Sequence, residues 1–91
     1  MRVYWRESRP GRQLILQMDD GQLVQTGFIL RTKTGFDAVA KTTGYAPERS
    51  HNGFASMEEA VEFIEGFRPW EDFGGSGDLE VETEVQPRPA S

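Results

Sequence analysis

His51 is the residue of this sequence best suited to proton transfer near neutral pH, and it is the chain's one histidine. It lies in an irregular stretch, residues 42–55, between Ser50 and Asn52. Catalysis by a histidine needs a nucleophile and an orienting acid in contact with it, and neighbours in sequence do not supply that geometry. We therefore predict no catalytic residue and no enzyme activity. An enzyme centred on residues 42–55 is the least favoured interpretation.

The carboxylates and glycines do not follow the pattern of a metal or phosphate site. Asp19 and Asp20 lack the spaced oxygen ligands and the distal glutamate of a calcium loop. The glycines of residues 74–77 follow no predicted strand and begin no predicted helix, so they do not predict a phosphate-binding loop. The absence of cysteine excludes thiolate ligands, cysteine nucleophiles and disulfides. We expect no metal and no cofactor.

Charge is distributed unevenly along the 91 residues, whose formal net charge is -5. Residues 1–50 contain eight basic and five acidic side chains, whereas residues 51–91 contain two basic and ten acidic ones. A concentrated acidic surface attracts a basic partner, and salt weakens that attraction. The simpler interpretation is a solvated helix face and an acidic tail that keep a small protein in solution.

An aromatic segment comes directly after a predicted helix that is rich in glutamate. Tryptophan and arginine are frequent anchors of protein interfaces, and Arg68 and Trp70 lie close together here. The other interpretation is that these rings fold back and complete the core. The predicted partner-binding residues lie on the acidic side of the helix or in the aromatic segment: Glu58, Glu62, Glu65, Phe67, Arg68, Trp70 and Phe73. We predict a small non-enzymatic protein-interaction module, a regulator, inhibitor or accessory subunit, that docks on the basic surface of a protein partner.

Four strands are predicted in the first half of the chain, because apolar residues alternate there. They cover approximately residues 2–6, 14–18, 22–32 and 36–40, and Asp20-Gly21 suits a tight hairpin turn. Gly27 indicates a bulge in the third strand. The side chains expected on one side of each strand are Val3 and Trp5, then Leu14, Leu16 and Met18, then Val24, Phe28 and Leu30, and finally Phe36, Ala38 and Ala40. Short turns between the strands predict an antiparallel meander.

A helix is predicted to begin after Ser56. Ser56 and Glu59 form the pattern of a capping box, and Gly66 lies where the left-handed residue after a helix is expected. An apolar stripe is formed by Met57, Ala60, Val61, Ile64 and Phe67. A helix of about ten residues is stable only when such a stripe packs on another element. We predict the α+β class: a four-stranded antiparallel meander followed by one C-terminal helix packed on one face of the sheet.

The acidic tail allows two interpretations. Residues 79–85 alternate apolar and acidic side chains, which suits a charged edge strand of the same sheet or a strand added to a partner's sheet. We predict a compact domain over residues 1–73, followed by a flexible glycine-rich linker and acidic tail over residues 74–91. The oligomeric state stays open, because such a strand can pair within a chain or between chains.

A sheet followed by a helix resembles AP2-type and integrase N-terminal DNA-binding domains. Residues 54–60 are similar to the Phe-x-Ser/Thr-x-Glu-Glu-Ala stretch that begins the helix in those domains. The resemblance implies an alternative function, binding of nucleic acid by the sheet, with the acidic tail modulating access. The residues implied are Arg2, Tyr4, Arg6, Arg31 and Lys33, with Trp5 alongside. The acidic composition favours the protein partner over nucleic acid.

The sequence contains no apolar run long enough for a membrane span. We therefore expect no membrane partner. A chain without cysteine is typical of a reducing compartment, so we expect a cytoplasmic protein.

Overall fold

The computed structural model describes residues 1–89 and shows an α+β fold. Within these residues, five antiparallel strands form one sheet in chain order: β1 (Arg2–Glu7), β2 (Gly11–Gln17), β3 (Leu23–Thr32), β4 (Gly35–Ala40) and β5 (Ser50–Phe54). One α-helix, α1 (Met57–Phe67), follows the sheet in the described chain, and 3-10 helices cover Pro47–Arg49 and Pro69–Phe73. The predicted antiparallel sheet and C-terminal helix are confirmed, and β5 adds a strand to the four expected.

The segment predicted to be irregular, residues 42–55, contains β5. This strand pairs with β4, and Phe54 lies opposite Phe36 and His51 opposite Ala38. Its first four residues, Ser50 to Gly53, include no apolar side chain, so the sequence shows no alternation there, and all four are exposed. The pairing with β4 supplies the hydrogen bonds that make this polar segment a strand, and sequence periodicity does not report such pairing.

A β-bulge interrupts the pairing of β2 with β3. Leu14 lies opposite Gly27, whereas the next residue, Ile15, lies opposite Gln25, so Thr26 is the extra residue. The Thr26 hydroxyl is buried and donates a hydrogen bond of 3.2 Å to the carbonyl oxygen of Leu14. The bulge predicted from Gly27 therefore lies one residue earlier in the chain.

The bulge changes which side chains of β3 face the core. Val24 packs against the core and Ile29 is fully buried in it, whereas Leu30 is 39% exposed. Phe28 lies opposite Val39 on the face of the sheet away from α1, which we call the open face. The prediction that Val24, Phe28 and Leu30 share one side of the strand is wrong, because an extra residue reverses the alternation.

The core lies between α1 and the other face of the sheet. Ile64 of the helix approaches Gly27 so closely that an added Cβ atom there would lie 3.0 Å from the Ile64 Cγ2 atom. The helix contacts chiefly β4, with fewer contacts to β3 and β5. The buried side chains of this core are Val3, Trp5, Leu14, Leu16, Ile29, Ala38, Ala40, Ala60, Ile64 and Trp70.

The predicted N-terminus of the helix is confirmed and the predicted C-terminal glycine is not. The hydroxyl of Ser56 accepts a hydrogen bond of 3.2 Å from the backbone N–H of Glu59, and the Glu59 carboxylate accepts one from Ala55. The helix continues past Gly66. Arg68 takes the left-handed conformation, with a φ of 50°, and its N–H group caps the helix. Arg68 also precedes the 3-10 helix Pro69–Phe73, in which Pro69 and Trp70 are buried.

The acidic tail lies beside β1 in the parallel direction. The backbone N–H of Glu82 donates to the carbonyl oxygen of Val3 at 2.9 Å, and that of Gln86 donates to Trp5 at 2.8 Å. Of the two interpretations of this segment, the structure shows the contact with the chain's own sheet. The boundary between residues 73 and 74 and the flexibility of the linker stay predictions. Residues 1–89 contain no helix that is long and apolar enough to cross a membrane.

Candidate functional site

The three glutamates predicted on one helix face have different surroundings. Glu58 and Glu62 are exposed to solvent. Glu65 is half-buried, and its carboxylate accepts a hydrogen bond of 2.8 Å from the indole Nε1 of Trp5. The carboxylates of Glu58 and Glu62 therefore face solvent, whereas that of Glu65 accepts the hydrogen bond of a tryptophan of the core.

Most of the ion pairs use the cations of the first half of the chain. The pairs between side chains are Arg2 with Glu82 (2.7 Å), Arg12 with Glu7 (3.1 Å), Arg49 with Asp72 (2.7 Å) and Arg68 with Glu71 (2.6 Å). Neither Glu58 nor Glu62 forms an ion pair with any residue from 1 to 89. We call these two residues the acidic helix face. Their charge is not compensated by a neighbouring cation.

The aromatic segment after the helix largely completes the core. Trp70 is 2% exposed and lies within the core cluster, and Phe67 and Phe73 pack against it while partly buried. Trp70, predicted to bind a partner, is therefore a core residue. The left-handed residue Arg68 and the 3-10 helix turn the chain back on the sheet, so the large apolar ring is removed from water.

Arg68 remains at the surface of this segment. Its guanidinium donates to the carboxylate of Glu71 at 2.6 Å and lies 5.3 Å from the centre of the Trp70 ring. It also donates to the carbonyl oxygen of Gly77. These contacts hold the 3-10 helix against the start of the linker, which gives Arg68 a structural role in the described chain.

His51 belongs to an aromatic cluster between β5 and α1. Its exposed ring lies 4.5 Å from the ring of Phe54 and 6.0 Å from that of Phe63. The Phe63 ring in turn meets Phe67 edge-on at 5.1 Å. Within residues 1–89, no three histidine, cysteine, aspartate or glutamate side chains form a group that could hold a metal ion.

The residues of the nucleic-acid alternative are divided between different surfaces. Arg2, Tyr4 and Arg6 alternate along β1 on the open face, but Tyr4 is buried there, with 6% of its surface exposed. Arg31 lies 5.5 Å from the Phe36 ring, on the helix side of the sheet, and Lys33 lies exposed in the turn after β3. The sheet therefore does not bring the five residues into one continuous basic surface.

Arg2 is also neutralised by the tail. Its guanidinium forms two hydrogen bonds with the carboxylate of Glu82, at 2.7 and 2.9 Å. These bonds hold the pKa of Glu82 below its ordinary value and raise the pKa of Arg2. The Arg2 guanidinium also lies 4.8 Å from the centre of the Tyr4 ring, so a carboxylate and an aromatic ring already contact this cation, whose side chain is 46% exposed.

A cleft on the open face was not predicted from the sequence. It has a volume of about 330 Å³, and its lining includes Phe28 and Val39 from the sheet and Lys41, Tyr45 and Pro47 from the chain after β4. The signal for it in the sequence is the length of the irregular segment, since long loops often carry function. The lining residues come from strands and a loop that meet only in the folded chain.

No protein family, curated protein or solved structure matches this chain. The similarity of residues 54–60 to DNA-binding domains therefore stays a resemblance.

Proposed function

We propose that this protein is a small non-enzymatic interaction module that docks its acidic helix face on a basic surface of a protein partner. Its biological role is then that of a regulator, an inhibitor or an accessory subunit. A cytoplasmic setting belongs to the same proposal, because a chain without cysteine needs no oxidising compartment. The observation that carries the proposal is the exposure of Glu58 and Glu62 without an ion-pair partner within residues 1–89.

The position of these carboxylates on a rigid element supports the proposal. The helix is capped at its N-terminus and clamped to the sheet by Ala60 and Ile64, which are fully buried. Side chains held on a packed helix lose less conformational freedom on binding than side chains on a loop. The half-buried Val61 lies between Glu58 and Glu62 along the helix and offers apolar contact beside the two charges.

The expected mechanism has two stages. The uncompensated charge of the acidic helix face attracts a basic surface at long range and accelerates the encounter, so the association rate falls as salt is added. Contacts of Glu58, Glu62 and the half-buried Val61 with the partner then hold the complex together. At the C-terminal end of the same helix, Arg68 is exposed and the ring of Phe67 is partly buried.

The test compares three immobilised proteins in a cell extract treated with nuclease. They are the wild type, the variant Glu58→Gln with Glu62→Gln, and a control, Asp20→Asn with Glu48→Gln, which loses the same formal charge elsewhere on the exposed surface. We expect the wild type and the control to retain the same basic protein at low salt. The helix variant should lose it, and graded salt should release it from the other two.

Two results contradict the proposal. One is equal retention by all three proteins, which would remove the acidic helix face from the interface. The other is retention of no protein by the wild type at low salt. In a parallel titration, binding of a fluorescent oligonucleotide that is weakened by Arg6→Gln would support the nucleic-acid alternative, because Arg6 lies on the open face. An enzyme centred on residues 42–55 would be supported by an activity that His51→Ala abolishes.

A further inference from the structure

We propose that the tail of a second copy of this chain can occupy the β1 edge, so that two copies exchange residues 79–86 and form a dimer. The surface concerned is the outer edge of β1, and the occupant is the same segment that lies there in the monomer. This inference is independent of the partner proposed for the acidic helix face.

The backbone contacts of the tail with β1 are those of a strand added to a sheet edge. Three hydrogen bonds join them: Glu82 donates to Val3 at 2.9 Å, Gln86 donates to Trp5 at 2.8 Å, and Glu7 donates to Gln86 at 2.9 Å. Backbone groups of an edge strand need such partners or water, and an uncovered edge readily pairs with another chain.

Side chains make the edge selective for this particular segment. The Arg2 guanidinium binds both oxygens of the Glu82 carboxylate, at 2.7 and 2.9 Å, and this forked geometry favours a carboxylate at that position. On the other side of the tail, Leu79, Val81 and Val85 pack partly buried against the core. A segment that binds here therefore needs a carboxylate at the position of Glu82 and apolar side chains at the positions of Leu79, Val81 and Val85.

A second copy is the partner whose fit the structure itself demonstrates. Its tail has the same sequence, so in an exchanged dimer it repeats every hydrogen bond, ion pair and apolar contact of the monomer. The two forms differ only in the connection between residues 73 and 79 and in the entropy of association. In the monomer the short connection gives the tail a high effective concentration, so exchange is expected to increase with protein concentration.

Gly75, in the connection between residues 73 and 79, affects the equilibrium between the monomer and the exchanged dimer. A Cβ atom added at Gly75 would lie 2.7 Å from the carbonyl oxygen of Trp70, too close for the present turn. A Cβ atom added at Gly77 would meet only the Glu71 carboxylate, at 3.6 Å, which is an ordinary contact. An alanine at the first position therefore opposes the folded-back turn, whereas an alanine at the second does not.

The decisive experiment exchanges the charges of the ion pair. Arg2→Glu places two carboxylates together and Glu82→Arg places two guanidinium groups together, so each variant alone repels its own tail and that of an identical copy. In an equimolar mixture, each tail finds an opposite charge on the other variant. We expect sedimentation velocity to show a doubled mass for the mixture and the monomer mass for each variant alone.

The double variant, Arg2→Glu with Glu82→Arg, serves as the control, because it restores an opposite pair within one chain. We expect it to match the wild type in mass and in tryptophan fluorescence. A mixture that keeps the monomer mass at every concentration, beside a double variant that matches the wild type, would overturn the proposal.

A second comparison keeps the proposal falsifiable if the charge variants fail to fold. Gly75→Ala should dimerise at lower concentration than the wild type, and the matched variant Gly77→Ala should behave as the wild type. Addition of Glu82→Arg to Gly75→Ala should abolish the dimer. Equal masses for all of these proteins over the full range of concentration would contradict the exchange of tails.

Discussion

At the scale of the residue, glutamate has different roles at neighbouring positions of α1. Glu65 accepts a hydrogen bond from the indole of Trp5, which is 3% exposed, whereas Glu62 is exposed to solvent. A buried donor without an acceptor is costly, whereas an exposed carboxylate exchanges its contacts with water. Of the three glutamates, Glu65 therefore has a structural role, whereas Glu58 and Glu62 are exposed to solvent.

We expect Glu65→Leu to lower the free energy of unfolding by about 1–3 kcal/mol, because the Trp5 indole loses its acceptor in the interior. Glu65→Gln keeps an acceptor oxygen and should cost less. Glu62→Gln should change stability by about 0.5 kcal/mol or less. Urea unfolding followed by tryptophan fluorescence measures all three, and equal effects of Glu62→Gln and Glu65→Leu would contradict the structural role of Glu65.

The ion pair of the tail predicts a dependence of stability on pH. Because the hydrogen bonds from Arg2 lower the pKa of Glu82 in the folded protein, the pair stabilises the fold fully above the unfolded-state pKa of that carboxyl group. The contribution is lost as the pH falls through the lower, folded-state pKa. The wild type should therefore be more stable than Glu82→Gln at neutral pH, and the difference should vanish in acid. Glu80→Gln, at an exposed position, is the control and should show no such trend.

At the scale of the element, α1 ends at Phe67, just before Arg68 and Pro69, because a proline disfavours the helical conformation of the residue that precedes it. Gly66 lies within the helix with no atom of another residue near its absent Cβ, whereas Arg68 takes the left-handed conformation. A glycine at an open helical position costs stability relative to alanine, since it loses more backbone entropy on folding. The helix therefore ends next to Pro69 and not at Gly66.

We expect Gly66→Ala to stabilise the protein by up to about 1 kcal/mol, because it adds a helix-favouring residue without a contact. Gly27→Ala in β3 should destabilise it instead, since its Cβ atom would lie 3.0 Å from Ile64 and 3.1 Å from the carbonyl oxygen of Val39. Thermal unfolding compares the two variants. Destabilisation by Gly66→Ala would show that this position does not tolerate a side chain.

At the scale of the whole molecule, one helix and one face of the sheet supply the core. Ile64 is fully buried at the centre of this contact, whereas Leu23, at the start of β3, is 47% exposed. A domain of this size has little stability to spare, because a short chain buries a smaller share of its surface than a long one.

We expect Ile64→Ala to lower the free energy of unfolding by about 2–5 kcal/mol, since it removes apolar contacts and leaves a cavity between helix and sheet. Leu23→Ala should have a much smaller effect, because its side chain already contacts water. Denaturant unfolding with circular dichroism distinguishes them. Similar losses for the two variants would show that α1 contributes little to the stability of the sheet.

The sequence by itself determined the features that depend on neighbours along the chain. Alternation identified β1, β2 and β4, and it placed Val3 and Trp5 on one side of β1, the side that the structure buries in the core. Ser56 and Glu59 identified the start of the helix, because a capping box involves residues only three positions apart. The uneven charge was also evident without a structure. These signals are local, because the residues that interact lie within a few positions of each other in the sequence.

The tertiary structure decided the features that depend on partners far apart in sequence. The bulge at Thr26 changes which side chains of β3 face the core. Pairing with β4 turns the polar segment 50–54 into a strand. Arg2 forms an ion pair with Glu82, which lies 80 residues away in the sequence. Burial of Trp70 removes it from the predicted binding surface, while Glu58 and Glu62 stay exposed. Composition cannot distinguish these outcomes, because whether a side chain is buried or paired depends on which surfaces meet when the sheet and the helix pack.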